Sequence, residues 1–125
     1  MASPTQPDME LKKAVKELKQ KMIESRRKMN IAEMQVNQHK VLVQKNALIK
    51  NVISSYPDES RMFESVGRMF MLSNKKDSLT RLDERSKLAR EKIETLEGNQ
   101  KYLEKSLKDS ENNLREMIAS KKAAV

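Results

Sequence analysis

Two stretches of this chain repeat apolar residues at alternating steps of four and three, and few folds accept that pattern. The first runs Leu11, Val15, Leu18, Met22, Ser25, Met29, Ala32, Val36, His39, Val43, with eight of ten positions apolar. The second runs Leu79, Leu82, Ser86, Ala89, Ile93, Leu96, Gln100, Leu103, Leu107, Ser110, Leu114, Met117, with nine of twelve apolar. A step averaging 3.5 residues keeps one narrow helix face turned to a neighbour, which is the seam of a coiled coil. The positions between are mostly Lys, Glu, Gln, Arg and Asn, suited to water. Two seams of similar length predict a mainly α fold, a long antiparallel two-helix coiled coil closed at one end. Helices of about 45 residues extend roughly 68 Å each at 1.5 Å per residue. Antiparallel pairing brings Leu11 and Val15 beside Leu114 to Met117, and Val43 beside Leu82 to Ala89.

The connection carries a different pattern. Arg61 to Leu72 is neither helical nor polar, and its two short apolar runs meet at Val66-Gly67. That reads as a β-hairpin over 61–72, with Gly67 at the turn where a positive φ costs little. In the second run Met69 and Met71 share one face while Phe70 and Leu72 share the other, so both faces are apolar. A lone two-stranded ribbon cannot bury both. Met62, Phe63, Val66, Gly67, Met69, Phe70, Met71 and Leu72 are therefore the candidate oligomerisation element, covered by flanking helices or by strands of other chains.

The flanks set the boundaries. Residues 1–7, with two prolines and no apolar period, are expected to be a disordered lead-in to a helix over 8–54. Thr5 to Asp8 has capping-box spacing, and Asp8 is an alternative cap. After Val43 the register loosens into a broader apolar surface of Leu42, Leu48, Ile49, Val52 and Ile53, which predicts a wider body to pack against. Pro57 then ends the helix. Asn74 to Asp77 has the spacing of an N-cap with an acidic third residue, opening a helix over 75–121. Gly98 falls on the outermost face, where it softens the helix without touching the seam. Residues 123–125 are expected to fray, leaving 8–122 as the single domain.

Composition narrows the function. With 35% charged residues, 3% aromatics and only two Gly and three Pro, the chain fits a long helix or coiled coil. No run of 18 apolar residues and no leader pattern occurs, so the expectation is a soluble, intracellular chain without a membrane span. There is no cysteine and one histidine, too few for a usual zinc ligand set or for a Ser/His/Asp or Cys/His triad. Phosphate-binding glycine loops are missing as well. The expectation is no enzyme, no catalytic residue, no metal and no cofactor. His39, Ser25, Ser86, Gln100 and Ser110 read as polar seam positions that set register. The net charge of +8 is concentrated in residues 1–56, where eleven Lys and Arg face five Asp and Glu. Such a segment attracts an acidic partner or simply forms a solvated helix face.

A helix, then Phe63-Glu64-Ser65-Val66-Gly67-Arg68-Met69-Phe70-Met71-Leu72, then a helix closely resembles the β-type subunits of prefoldin. The spacing of an aromatic residue, two positions, Val-Gly, two positions and Phe carries the likeness. Glu10-Leu11-Lys12-Lys13-Ala14, Lys101-Tyr102-Leu103-Glu104-Lys105-Ser106 and Leu114-Arg115-Glu116-Met117 support it, over about residues 8 to 122. Gly98-Asn99 departs from the family, which has better helix formers there. The resemblance implies an ATP-independent co-chaperone, a hetero-hexamer of two subunit types sharing β-barrels built from their hairpins. Its arm tips would hold non-native actin and tubulin and pass them to the cytosolic group II chaperonin. It implies a cytoplasmic protein and leaves a nuclear role open.

The physics of an open coiled-coil end fits that role. Fraying there exposes Leu11, Val15, Leu18 and Met22 on one arm and Leu107, Leu114, Met117 and Ile118 on the other, the candidate client-binding tips. Flexible apolar side chains, methionine above all, adapt to irregular surfaces; the plainer reading is that they pack only on each other. Two further functions compete. A nucleic-acid-associated coiled coil would use Lys12-Lys13, Lys19 to Lys21 and Arg26-Arg27-Lys28, although these interleave with the seam instead of forming a separate basic block. A structural tether explains the arms but leaves the doubly apolar hairpin without a purpose.

Overall fold

The structure is a computed structural model that describes residues 6–123, with side chains described from 9 to 122. Four elements follow one another: helix α1, Gln6–Ser54; strand β1, Met62–Val66; strand β2, Met69–Ser73; and helix α2, Lys75–Ala123. This is the mainly α architecture, two long helices joined through a β-hairpin. The contacts divide the chain into two compact units, Met34–Leu96 and the pair Met1–Glu33 with Glu97–Val125. No helix among the described residues is long and apolar enough to cross a membrane.

Boundaries differ from the sequence expectation in four places. Gln6 and Pro7, expected in the disordered lead-in, belong to the first turn of α1. First-turn amides have no intrahelical acceptor, so proline is tolerated there. Residues 1–5 lie outside the described residues, and with them Thr5 of the expected capping box. The ladder runs one residue later than expected: Arg61 is not in β1, while Ser73 pairs with Met62 and extends β2. Helix α2 continues to Ala123, and the rest of the expected frayed tail, 124–125, lies outside the described residues.

In Met34–Leu96 the seam forms as the four-three pattern requires. Val36, Leu82, Ser86 and Ala89 are buried, Ala89 at 2% exposure, while His39, Val43, Leu79 and Ile93 are half-buried. The small side chains at 86 and 89 permit close approach of the helices. Val43 does not end the seam, because the next step of three reaches Asn46, which is buried. Its Nδ2 has no hydrogen-bond partner. An amide held in an apolar seam costs stability and penalises shifted pairings, the use to which coiled coils put a buried asparagine. Lys50 completes the step outside the core, where its Nζ lies 2.9 Å from Asp83 Oδ1. The wider packing surface expected after Val43 is not used within the chain: Leu42, Leu48, Ile49 and Val52 are exposed.

In residues 6–33 and 97–123 the seam positions are again turned inward. Ser25 and Ala32 are buried, and Leu11, Val15, Leu18, Met22 and Met29 are half-buried, as are Leu96 of the other unit and Gln100, Leu103, Leu107, Ser110 and Leu114. Two of the polar positions expected to set register make specific bonds. Gln100 Nε2 donates to the Met29 carbonyl at 3.1 Å, and Ser110 Oγ accepts from Lys21 Nζ at 2.6 Å. Met117 departs from the pattern; it is 38% exposed, and Ile118 takes the half-buried place beside it.

The two glycines have opposite roles. Gly67 has φ of 62° and no described non-glycine residue has a positive φ. With Val66 paired to Met69, the turn is the two-residue Gly67-Arg68, glycine first, as a type II′ hairpin turn requires. Gly67→Ala is expected to cost about 1–2 kcal/mol and to lower the urea midpoint, although no heavy atom lies within 4 Å of the added Cβ. Gly98, inside α2, is exposed and equally uncrowded. Gly98→Ala is expected to stabilise by about 1 kcal/mol, seen as a higher Tm; a lower Tm would mean that this helix needs the softness.

Candidate assembly surface and arm tips

The hairpin is held at its root by charges. Helix α1 has no basic residue in its last turn, so its terminal carbonyls lack a cation of their own. Lys75, the first residue of α2, supplies one. Its Nζ donates to the Ser54 carbonyl at 3.3 Å and the Tyr56 carbonyl at 3.0 Å, and pairs with Asp58 at 3.0 Å. A cation at a helix C-terminus meets both the unsatisfied carbonyls and the negative end of the dipole. Beyond Ser54 the chain tightens, with Ser55 N donating to the Val52 carbonyl and Tyr56 N to that of Ile53, before Pro57 stops it. On the other side, Asn74 Oδ1 accepts from Asp77 N at 2.7 Å, the N-cap expected from the sequence.

Antiparallel register sorts the ribbon's side chains into two faces. Phe63 pairs with Leu72 and Ser65 with Phe70; Glu64 pairs with Met71 and Val66 with Met69. On the second face the Glu64 carboxylate is gripped by Arg81 and Arg85 of α2, which stand one helical turn apart and so point the same way. Ser78 Oγ reaches Ser73 Oγ at 3.3 Å. These polar contacts aim the ribbon without covering its apolar groups. Met69 and Met71 stay exposed on this face, and on the other Phe63, Phe70 and Leu72 are 63%, 73% and 65% exposed. Glu64→Gln is expected to loosen the ribbon at a cost of about 1 kcal/mol, since these pairs are partly solvated. The loss should shrink in high salt. An unchanged urea midpoint at low salt would mean the arginines position nothing.

The eight expected oligomerisation residues thus come together on one ribbon, Gly67 in its turn and the seven side chains around it. Sequence reasoning missed Lys75, Glu64, Arg81 and Arg85, whose partners lie 17 to 21 positions away and follow no period.

At the arm ends, Glu10 and Lys121 form an ion pair at 3.9 Å. An open groove lies between Ala14, Glu17, Leu18 and Lys21 on α1 and Ser110, Asn113, Leu114 and Met117 on α2. It brings together three of the expected tip residues, Leu18, Leu114 and Met117. Leu11, Val15, Met22, Leu107 and Ile118 sit half-buried along the same seam. None of these eight side chains is fully buried. Of the cations that could have met phosphates, Lys21 is turned inward, bonded to the Ser106 carbonyl and to Ser110.

Comparison with known proteins follows the same lines. A sequence model described as prefoldin subunit matches residues 16–121. Prefoldin subunit 1 of Danio rerio is 42% identical over 123 residues, 98% of this chain and 99% of that protein. Prefoldin subunit 1 of Homo sapiens is 41% identical over the same coverage, and probable prefoldin subunit 1 of Caenorhabditis elegans 35% identical over 92% of this chain and 98% of its own. In fold, the crystal structure of the prefoldin beta subunit from Thermococcus strain KS-1 superposes with a TM-score of 0.70 over 93% of this chain and 96% of that one, at 16% identity. Two helices around an exposed Val-Gly hairpin, with the same likeness running the length of the sequence, place the chain in the prefoldin subunit family of chaperones.

Proposed function

We propose that this chain is one subunit of a hetero-hexameric, ATP-independent chaperone. Its ribbon joins a β-sheet shared with other prefoldin subunits, and its arm tips hold non-native actin and tubulin. The complex delivers them to the cytosolic group II chaperonin in the cytoplasm, with a nuclear role left open. The observation that carries this reading is the ribbon: apolar on both faces, exposed on both, and rooted by Lys75 and Glu64. Exposed apolar area of that kind marks a binding surface, and a free ribbon is marginal until further strands or packing join it.

The tips support the capturing role through their softness. Their apolar side chains are half-buried, and Met117 is exposed, so little packing is lost when an unfolded segment replaces it. Weak contacts from several arms would combine into useful avidity without tight binding at any one. Release then needs only competition for the client and no chemical step.

The test is aggregation of denatured actin, followed by light scattering, with the assembled complex containing this chain. Suppression without nucleotide, unchanged when ATP is added, is the expected result. A complex that needs ATP, or that leaves aggregation unchanged, would overturn the reading.

A further inference from the structure

Helix α1 carries a second apolar face within Met34–Leu96. Met34, Val41, Leu42, Leu48, Ile49 and Val52 lie within about 120° of the helix circumference at 3.6 residues per turn, nearly opposite the seam of Val36, His39, Val43 and Asn46. All six are exposed, Met34 and Leu48 at 64% and 66%. Through positions 34, 38, 41, 45, 48 and 52 this face repeats the four-three step of the inner seam, interrupted only by Gln38 and Lys45. A helix apolar on two opposite faces belongs between two neighbours. Helix α2 has no such band: between Lys75 and Leu96 its only exposed large apolar residue is Leu88.

Spacing and charge together specify what fits. Alternating four-three steps accept the knobs of another helix, and the period of two that a strand presents does not match them. From Met34 to Tyr56 the sequence holds no acidic residue, while Lys40, Lys45 and Lys50 are basic. Lys50 is engaged with Asp83, and exposed Lys45 stands within the band. Depletion of charge around an apolar centre is the composition of an interface core. We infer that this outer band docks an amphipathic α-helix of a neighbouring prefoldin subunit, apolar at four-three spacing and acidic where it faces Lys45. The inference rests on the assembly reading above and adds a second joint to it, helix on helix beside sheet on sheet.

The test places a photo-reactive phenylalanine analogue at position 48, and separately at position 70, in the full chain co-expressed with the other prefoldin subunits. Crosslinked peptides are identified by mass spectrometry. A position-48 crosslink to a helical segment of another subunit, with an acidic residue at the height of Lys45, is the expected result. Crosslinks from position 70 alone would leave the sheet joint standing and overturn the helix dock, as would a position-48 crosslink only to a hairpin or to a second copy of this chain. Loss of both would overturn the assembly reading and this inference with it. In parallel, Lys45→Glu is expected to weaken assembly at least tenfold at low salt with unchanged helicity, and much less in high salt. No change at low salt would remove the acidic partner.

Discussion

Phe70→Asp is expected to abolish assembly with other prefoldin subunits while leaving the helical content of the free chain unchanged. The two halves of that result have separate causes. In the free chain Phe70 is 73% exposed, so an aspartate there is solvated and disturbs neither the two seams nor the root contacts of Lys75 and Glu64. Once strands from another subunit cover that face, the same carboxylate would be stripped of water among apolar neighbours. Phe63, Ser65 and Leu72 are its neighbours there, and Arg81 and Arg85 are engaged with Glu64 on the other face. An unpaired buried charge costs several kcal/mol, and about 4 kcal/mol is already near a thousandfold in affinity. Circular dichroism and size-exclusion chromatography read the two halves. Phe70→Tyr, which keeps the ring, is expected to assemble. If Phe70→Asp assembles normally, the ribbon is not the joint.

Deleting residues 1–18 together with 112–125 is expected to preserve assembly and reduce suppression of client aggregation. What is lost is the tip: Leu11, Val15 and Leu18 with Leu114, Met117 and Ile118, and the Glu10–Lys121 pair. What remains closes the shortened seam, since Lys21 still reaches Ser106 and Ser110 and Gln100 still reaches Met29. Met34–Leu96, with the ribbon, is untouched. Because the tips act through many weak contacts, trimming one arm of several should reduce capture in proportion, and trimming all arms should abolish it. Undiminished suppression by a complex with every arm trimmed would move the client site away from the tips.

Much of this architecture was legible because periodicity is a direct readout of which side chains face a neighbour. Every expected position of the first seam is buried or half-buried, and in the second only Met117 departs. Gly67 was readable because a two-residue turn between strands needs a positive φ. The charged contacts were not: Glu64 with Arg81 and Arg85, and Lys75 with the end of α1, depend on how an extended strand returns past a helix. Asn46 was obscured by polarity, since a buried amide breaks an apolar count while keeping the step. In the sequence Leu42, Leu48, Ile49 and Val52 read as a loosening of register into a broader apolar surface. With Met34 and Val41 they form a second exposed face, whose four-three steps overlap those of the first in the sequence.

The central claim is that this chain works as one subunit of a defined hetero-oligomer. Light scattering after size-exclusion chromatography, on the chain alone and co-expressed with the other prefoldin subunits, tests it most directly. The expected result is a single hetero-hexamer containing one copy of this chain. A stable homodimer that ignores those subunits would contradict it.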